Sequence, residues 1–145
     1  MEDAKGLEMQ NPSETLLLLG GELALSCQEI TLLESAGYRV VRAASEEQAR
    51  EEARRTRPDL WLVDLEPGRE DEGLHMARRL ARELPVALFF RVDLLATGEL
   101  LHQAEELNPC GYVPRGVGRA LLLVALRRGK KVNRARRREE GSFQK

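Results

Sequence analysis

Residues 58–68 read PDLWLVDLEPG. The four apolar residues Leu60 to Val63 are typical of a strand that is buried on both faces of a sheet. Asp64 follows them directly, and Pro67 with Gly68 predicts a turn after it. We therefore expect a buried strand that ends in a carboxylate at one edge of a sheet.

Similar short apolar runs alternate with helical patterns along the rest of the chain. Besides residues 60–63, strands are predicted at residues 15–19, 38–41, 86–90 and 111–113. Helices are predicted at residues 22–36, 45–55, 74–84, 98–107 and 117–128, and the second begins with a Ser45–Gln48 capping box. Strands that are each followed by a helix imply right-handed crossovers and a parallel sheet covered on both faces. The expected class is α/β.

The composition favours one soluble domain. The chain has 145 residues, of which 42% are hydrophobic and 32% are charged, so it can bury a core and is not a disordered chain. Its apolar runs are far shorter than the ~20 residues of a membrane span, and no secretory signal is evident. Cys27 and Cys110 are interpreted as small buried side chains in a reducing compartment. A cytoplasmic protein is expected.

Charge is distributed unevenly between the body and the C-terminus. Residues 127–145 carry nine basic and two acidic side chains, a net charge of +7, which leaves −8 on residues 1–126. We expect residues 1–13 to be a flexible leader, residues 14–128 to form the domain and residues 129–145 to be a basic, disordered tail. Such a tail could contact phosphates without reading sequence, dock on an acidic protein, or stay solvated.

Several segments resemble the receiver domain of bacterial two-component response regulators, over residues 15–128. They are residues 58–65, Pro67-Gly68, Gly73-Leu74, Pro85-Val86 and Gly111-Tyr112-Val113. The resemblance implies a flavodoxin-like (βα)5 doubly wound parallel sheet with strand order 2-1-3-4-5 and a site at the C-terminal ends of the strands. It also places Asp64 at the phosphoacceptor position.

The other functional positions of that family are altered here. The acidic pair that holds Mg²⁺ after the first strand is matched by Gly20 and Gly21, with Glu22 one position too late. The hydroxyl and small residues that end the fourth strand are matched by Phe90 and Arg91. The fifth-strand lysine is matched by Arg115, and Tyr112 stands at the switch aromatic, where we expect a fixed packing residue. Glycine offers Mg²⁺ no carboxylate, so no metal or other cofactor is expected.

These substitutions predict a pseudo-receiver, a non-enzymatic interaction module in bacterial signalling that is not phosphorylated in the usual way. Three alternatives stay open: an atypical stand-alone regulator phosphorylated on Asp64, a nucleic-acid-associated regulator that uses the basic tail, and a ligand or nucleotide site on the turn Gly20-Gly21. Asp64 should be neutralised by Arg91 or Arg115 if it is buried, or else be exposed and without a role.

The last predicted helix is apolar for seven successive residues, 120–126. A helix that packs only on a sheet shows a narrower apolar stripe, so part of this surface is expected to meet a protein partner or a second copy. The expected interface residues are Leu121, Leu122, Leu123 and Leu126, with Leu122 or Leu123 near the centre. The alternative is that the run packs deeper inside the monomer.

Overall fold

The computed structural model describes residues 14–21, 24–84, 86–93, 95–116 and 118–143, with side chains described up to residue 139. The predicted leader at 1–13, Glu22, Pro85, Val117 (the expected start of the last helix) and residues 144–145 lie outside this part. The elements in chain order are β1 (Glu14–Leu19), α1 (Cys27–Ser35), β2 (Tyr38–Ala43), α2 (Glu46–Thr56), β3 (Leu60–Asp64), α3 (Glu70–Glu83), β4 (Ala87–Val92), α4 (Gly98–Glu105), β5 (Gly111–Pro114) and α5 (Arg119–Phe143).

The five strands form one parallel sheet of order β2-β1-β3-β4-β5. The predicted fold class and strand order are confirmed. Side chains alternate between the two faces of the sheet, so Leu17, Trp61 and Phe90 pack towards α2, α3 and α4. Leu16 and Phe89 pack towards α1 and α5 on the opposite face. Both faces of the central strands are buried, which is why residues 16–19, 60–63 and 87–90 are apolar without interruption, whereas the edge strand β2 exposes Arg39 and Arg42.

Helix starts follow the local capping chemistry. α1 begins at Cys27 and not at residue 22, because the Ser26 side chain accepts from Glu29 N and the Glu29 side chain accepts from Ser26 N. At α2 the Ser45 hydroxyl accepts from Gln48 N as expected, but the Gln48 side chain reaches back to Ala44 N instead of Ser45. Cys27 is exposed at the start of α1, so its predicted burial is wrong, and Cys110 is half-buried.

The last helix continues well beyond its expected end at residue 128. α5 reaches Phe143, so residues 129–143 are helical and the prediction of a disordered tail is wrong for them. The continuation is docked on the domain. A Cβ at Gly129 would overlap the buried Phe89 ring and lie 3.2 Å from Cys110 O, so the helix passes closely over the sheet at this point. Further along, Arg136 Nη1 donates to Asn108 O at 2.8 Å.

Among the described residues, no helix is long and apolar enough to span a membrane.

A buried ion-pair site at the C-terminal edge of the sheet

Asp64 ends β3 and lies almost entirely beneath the surface, with 7% of the residue exposed. Register pairs it with Arg91 of β4, and Leu65 N donates to Arg91 O at 2.9 Å, so these strands end together. Arg115 N donates to Val92 O at 2.8 Å and extends the β4–β5 pairing past Pro114. The parallel sheet thus brings Asp64, Arg91 and Arg115 to one edge.

Arg115 is the cation that neutralises Asp64. Its Nη2 donates to Asp64 Oδ1 in a short ion pair, and only 3% of the Asp64 side chain is exposed. Burial lowers the pKa of the Arg115 guanidinium, and the negative charge of Glu29 opposes that shift. The structure therefore excludes the reading of Asp64 as a solvated carboxylate.

Arg91 has a different partner. Its Nη2 donates to Glu29 Oε2 at 2.7 Å, and the two side chains are 7% and 15% exposed. The second oxygen of Glu29, Oε1, accepts from Ser26 N in the α1 capping box. One carboxylate therefore fixes the start of α1 to the end of β4. Removing one member of such a buried pair typically costs about 3–5 kcal/mol, because the other charge stays buried alone.

Glu29 is the site residue that sequence reasoning missed. The pattern Ser26-Cys27-Gln28-Glu29 is a readable capping box, but nothing in its spacing indicates a contact with β4, sixty-two positions away. Together with Asp64, Arg91 and Arg115, it forms two ion pairs whose formal charges cancel.

Gly20 brings β1 close to Asp64. Its φ is +156°, and a Cβ there would lie 2.8 Å from Asp64 Cβ and 3.0 Å from Ala24 Cβ. Gly21 differs, because a Cβ on it would meet no atom within 4 Å. The structure therefore requires glycine at position 20, whereas position 21 has room for a side chain.

Tyr112 and Phe90 pack beside the site without entering it. Phe90 is fully buried, and its ring stacks on Tyr112 with centroids 6.2 Å apart. The Tyr112 hydroxyl donates to Glu105 Oε2 at 2.5 Å. Burial, followed by this hydrogen bond, raises the pKa of the Tyr112 phenol well above its usual value. The ring is held by α4 and β4 together.

An open depression of about 600 Å³ lies above Asp64. Its described lining consists of Gly21, Ala24, Asp64, Glu66, Pro67, Arg69 and Arg115. The receiver resemblance implies Mg²⁺ here, and this donor set does not suit it: Asp64 is paired with Arg115, Glu66 is the one other carboxylate of the described lining, and Arg69 adds a second cation. Within the described ranges, no group of three His, Cys, Asp or Glu side chains could hold a metal ion.

The four residues expected at an interface occupy different environments. Leu122 and Leu126 are buried in the monomer core, so their assignment to an interface, with Leu122 near its centre, is corrected. Leu123 is half-buried against the same core, whereas Leu121 is 51% exposed. Leu122, Leu126 and Gly129 follow one another at spacings of four and three residues and therefore share the side of α5 that faces the sheet.

No protein-family model matches the chain, and no curated protein matches it significantly. Solved structures do match. The signal receiver domain of a modulated diguanylate cyclase from Desulfovibrio desulfuricans G20 is 28% identical, with a TM-score of 0.64 over 81% of this chain and 97% of that one. A response regulator from Thermotoga maritima is 22% identical, with a TM-score of 0.64 over 81% and 98%. A CheY-like receiver domain protein from Methanospirillum hungatei JF-1 is 18% identical, with a TM-score of 0.65 over 90% and 98%. The chain therefore has the fold of response-regulator receiver domains.

Proposed function

We propose that this chain is a pseudo-receiver, a non-catalytic signalling module that works by binding another protein and is not switched by phosphorylation of Asp64. The observation that carries the proposal is the ion pair between the buried Asp64 carboxylate and Arg115, beside glycines where an acidic pair would hold Mg²⁺. In this arrangement the phosphoacceptor position is already neutralised by the chain itself.

The chemistry of phosphoryl transfer explains why a carboxylate that is already paired with arginine is a poor phosphoacceptor. A phosphodonor brings negative charge towards a carboxylate, and Mg²⁺ normally screens the two groups from each other. The phosphorylated product adds a further charge of about −1.5 to −2. At this site Arg115 is already occupied by Asp64, and Arg91 is occupied by Glu29 at 2.7 Å. Neither arginine is positioned to replace the metal without breaking a buried ion pair.

A candidate surface for the partner lies along α5 and β5. Leu121 and Val124 are large apolar residues on the outside of α5, and Val132 continues the exposed surface two turns further on. They border a shallow depression of about 380 Å³ whose other wall includes Tyr112 and Pro114. Exposed apolar side chains in one patch favour association with a protein or a second copy.

Incubation with acetyl phosphate and Mg²⁺, followed by intact mass measurement, tests the proposal. We expect no gain of ~80 Da, the mass of one phosphoryl group, under conditions that phosphorylate a Mg²⁺-binding receiver run in parallel. The rival function, an atypical phosphoacceptor, predicts the gain in the wild type and in Asp71→Asn, an exposed control, and its loss in Asp64→Asn. That pattern would overturn the pseudo-receiver proposal.

A further inference from the structure

The sheet separates two faces of opposite charge. The helices α2, α3 and α4 on one face carry ten acidic and six basic residues, whereas α5 on the other carries nine basic and two acidic residues. Some acidic residues of the first face are paired within it: Glu46 pairs with Arg50 at 3.2 Å and with Arg79 at 3.4 Å, and Glu83 pairs with Arg50 at 2.9 Å. On α5, Lys130 is paired with Glu14, and the helix keeps a net positive charge.

Three cations form a stripe along the outside of α5. Arg127, Lys131 and Arg134 are exposed and follow one another at spacings of four and three residues, which places them on the same side of the helix. None of the three forms an ion pair with another described residue. Arg138 continues the same spacing. We call Arg127, Lys131 and Arg134 the basic stripe.

Other basic residues of α5 hold the helix in place and thereby fix the stripe. Lys130 Nζ donates to Glu14 at the start of β1 and lies 5.3 Å from the centre of the Tyr38 ring. Arg136 donates to the carbonyls of Asn108, at 2.8 Å, and Pro109, at 3.3 Å. Because Gly129 also lets the helix sit against Phe89, the stripe belongs to a docked helix.

We propose that the basic stripe binds the phosphate backbone of double-stranded nucleic acid without reading its sequence. From Arg127 to Arg134 the helix rises about 10 Å, so the three long side chains are spaced closely enough to reach neighbouring phosphates of one strand. A regular line of anions is the chemistry that complements a regular line of cations. The segment 127–138 contains no aromatic side chain to stack on bases, which favours a duplex over a single strand.

The arrangement of side chains argues against the two other polyanionic partners. A helix that binds an anionic membrane inserts a broad apolar face opposite its cations, and in α5 the apolar residues Leu122 and Leu126 are already buried in the core of the domain. The exposed Leu121, Val124 and Val132 instead lie on a neighbouring side of α5, towards β5. An acidic protein surface offers carboxylates on flexible side chains and no fixed linear repeat. The stripe and the apolar patch therefore form separate surfaces on one helix.

Fluorescence anisotropy with the full chain and two labelled duplexes of unrelated sequence tests this proposal. We expect equal affinity for both duplexes. With three phosphate contacts, raising the salt from about 50 to 200 mM should weaken binding roughly 40-fold. Lys131→Gln or Arg134→Gln removes one contact and should reduce that salt-dependent loss to roughly 12-fold.

Arg82→Gln on α3 is the matched control, since it removes one exposed positive charge from the opposite face. It should leave the roughly 40-fold loss unchanged. Circular dichroism verifies that each variant is folded. The proposal is overturned if the chain does not bind at the lower salt concentration. It is also overturned if Arg82→Gln reduces the salt-dependent loss of affinity as much as Lys131→Gln or Arg134→Gln does. Polyglutamate and vesicles containing phosphatidylserine are tested in the same way. If either binds as tightly as the duplex and loses affinity in Lys131→Gln and Arg134→Gln, the stripe binds an acidic protein or a membrane, and the nucleic-acid proposal is wrong.

Discussion

Replacing Gly20 with alanine should destabilise the chain strongly, although only one methyl group is added. The new Cβ would lie 2.8 Å from Asp64 Cβ and 3.0 Å from Ala24 Cβ, which is shorter than or at the limit of normal carbon contacts. Neither of those atoms is the end of a flexible side chain. Asp64 is also held by its ion pair with Arg115, so the site cannot relax without moving a buried charge.

The size of the effect follows from two contributions. Overpacking in a filled interior costs about 1–3 kcal/mol. The backbone of Gly20, at φ +156°, adds a conformational cost for alanine on the order of 1–3 kcal/mol. The combined loss of about 2–6 kcal/mol is a large part of the unfolding free energy of about 5–15 kcal/mol that a typical domain has. It corresponds to a fall in melting temperature on the order of 10 °C.

Thermal and urea unfolding followed by circular dichroism measure this loss, with Gly21→Ala as the matched control. A Cβ on Gly21 meets nothing within 4 Å, so that variant should stay within about 0.5 kcal/mol of the wild type. If Gly20→Ala is as stable as Gly21→Ala, β1 does not approach Asp64 as described, and the steric account of the first glycine is refuted.

Three further changes test other parts of the structure. Gly129→Ala should lose at least about 1 kcal/mol of unfolding free energy, because its Cβ would overlap the buried Phe89 ring. The control Gly98→Ala on α4 faces open space and should be nearly neutral. Equal stability of the two variants would contradict the docking of α5. Leu122→Glu should unfold the monomer while Leu121→Glu leaves it folded and weakens association measured by light scattering; the reverse order would show that the helix is rotated. Because the pKa of Tyr112 is raised in the folded state, its contribution to the free energy of unfolding is fully present below pH ~10 and is lost as the pH rises towards the folded-state pKa. Tyr112→Phe should therefore reduce the loss of unfolding free energy at alkaline pH, as measured by urea titrations. An unchanged loss would show that another group causes it.

The sheet could be predicted from the sequence because its signals are local. Each strand is a short apolar run, and the turn after Asp64 is marked by Pro67 and Gly68. Strand ends in a parallel sheet meet at one edge, so placing Asp64 at the end of β3 is enough to predict that it lies near the residues at the ends of β4 and β5. The identity of its partner was not predictable, since both Arg91 and Arg115 were available there.

The parts that sequence reasoning missed depend on contacts between distant residues. Glu29 has an evident local role as a capping residue, and its ion pair with Arg91 is visible only in the folded chain. The basic segment after residue 128 has no apolar periodicity, so it was interpreted as a tail. The helix can approach Phe89 closely because Gly129 has no side chain, and Lys130 pairs with Glu14. Neither feature produces a hydrophobic pattern in the sequence.

The pseudo-receiver proposal requires that Asp64, which is neutralised by Arg115, does not respond to phosphorylation. Beryllofluoride with Mg²⁺ mimics an aspartyl phosphate, and backbone amide NMR of the full chain reports whether it binds. We expect the resonances of Gly20, Gly21 and Tyr112 to stay in place as both reagents are added. Saturable shifts of these resonances that disappear in Asp64→Asn would contradict it.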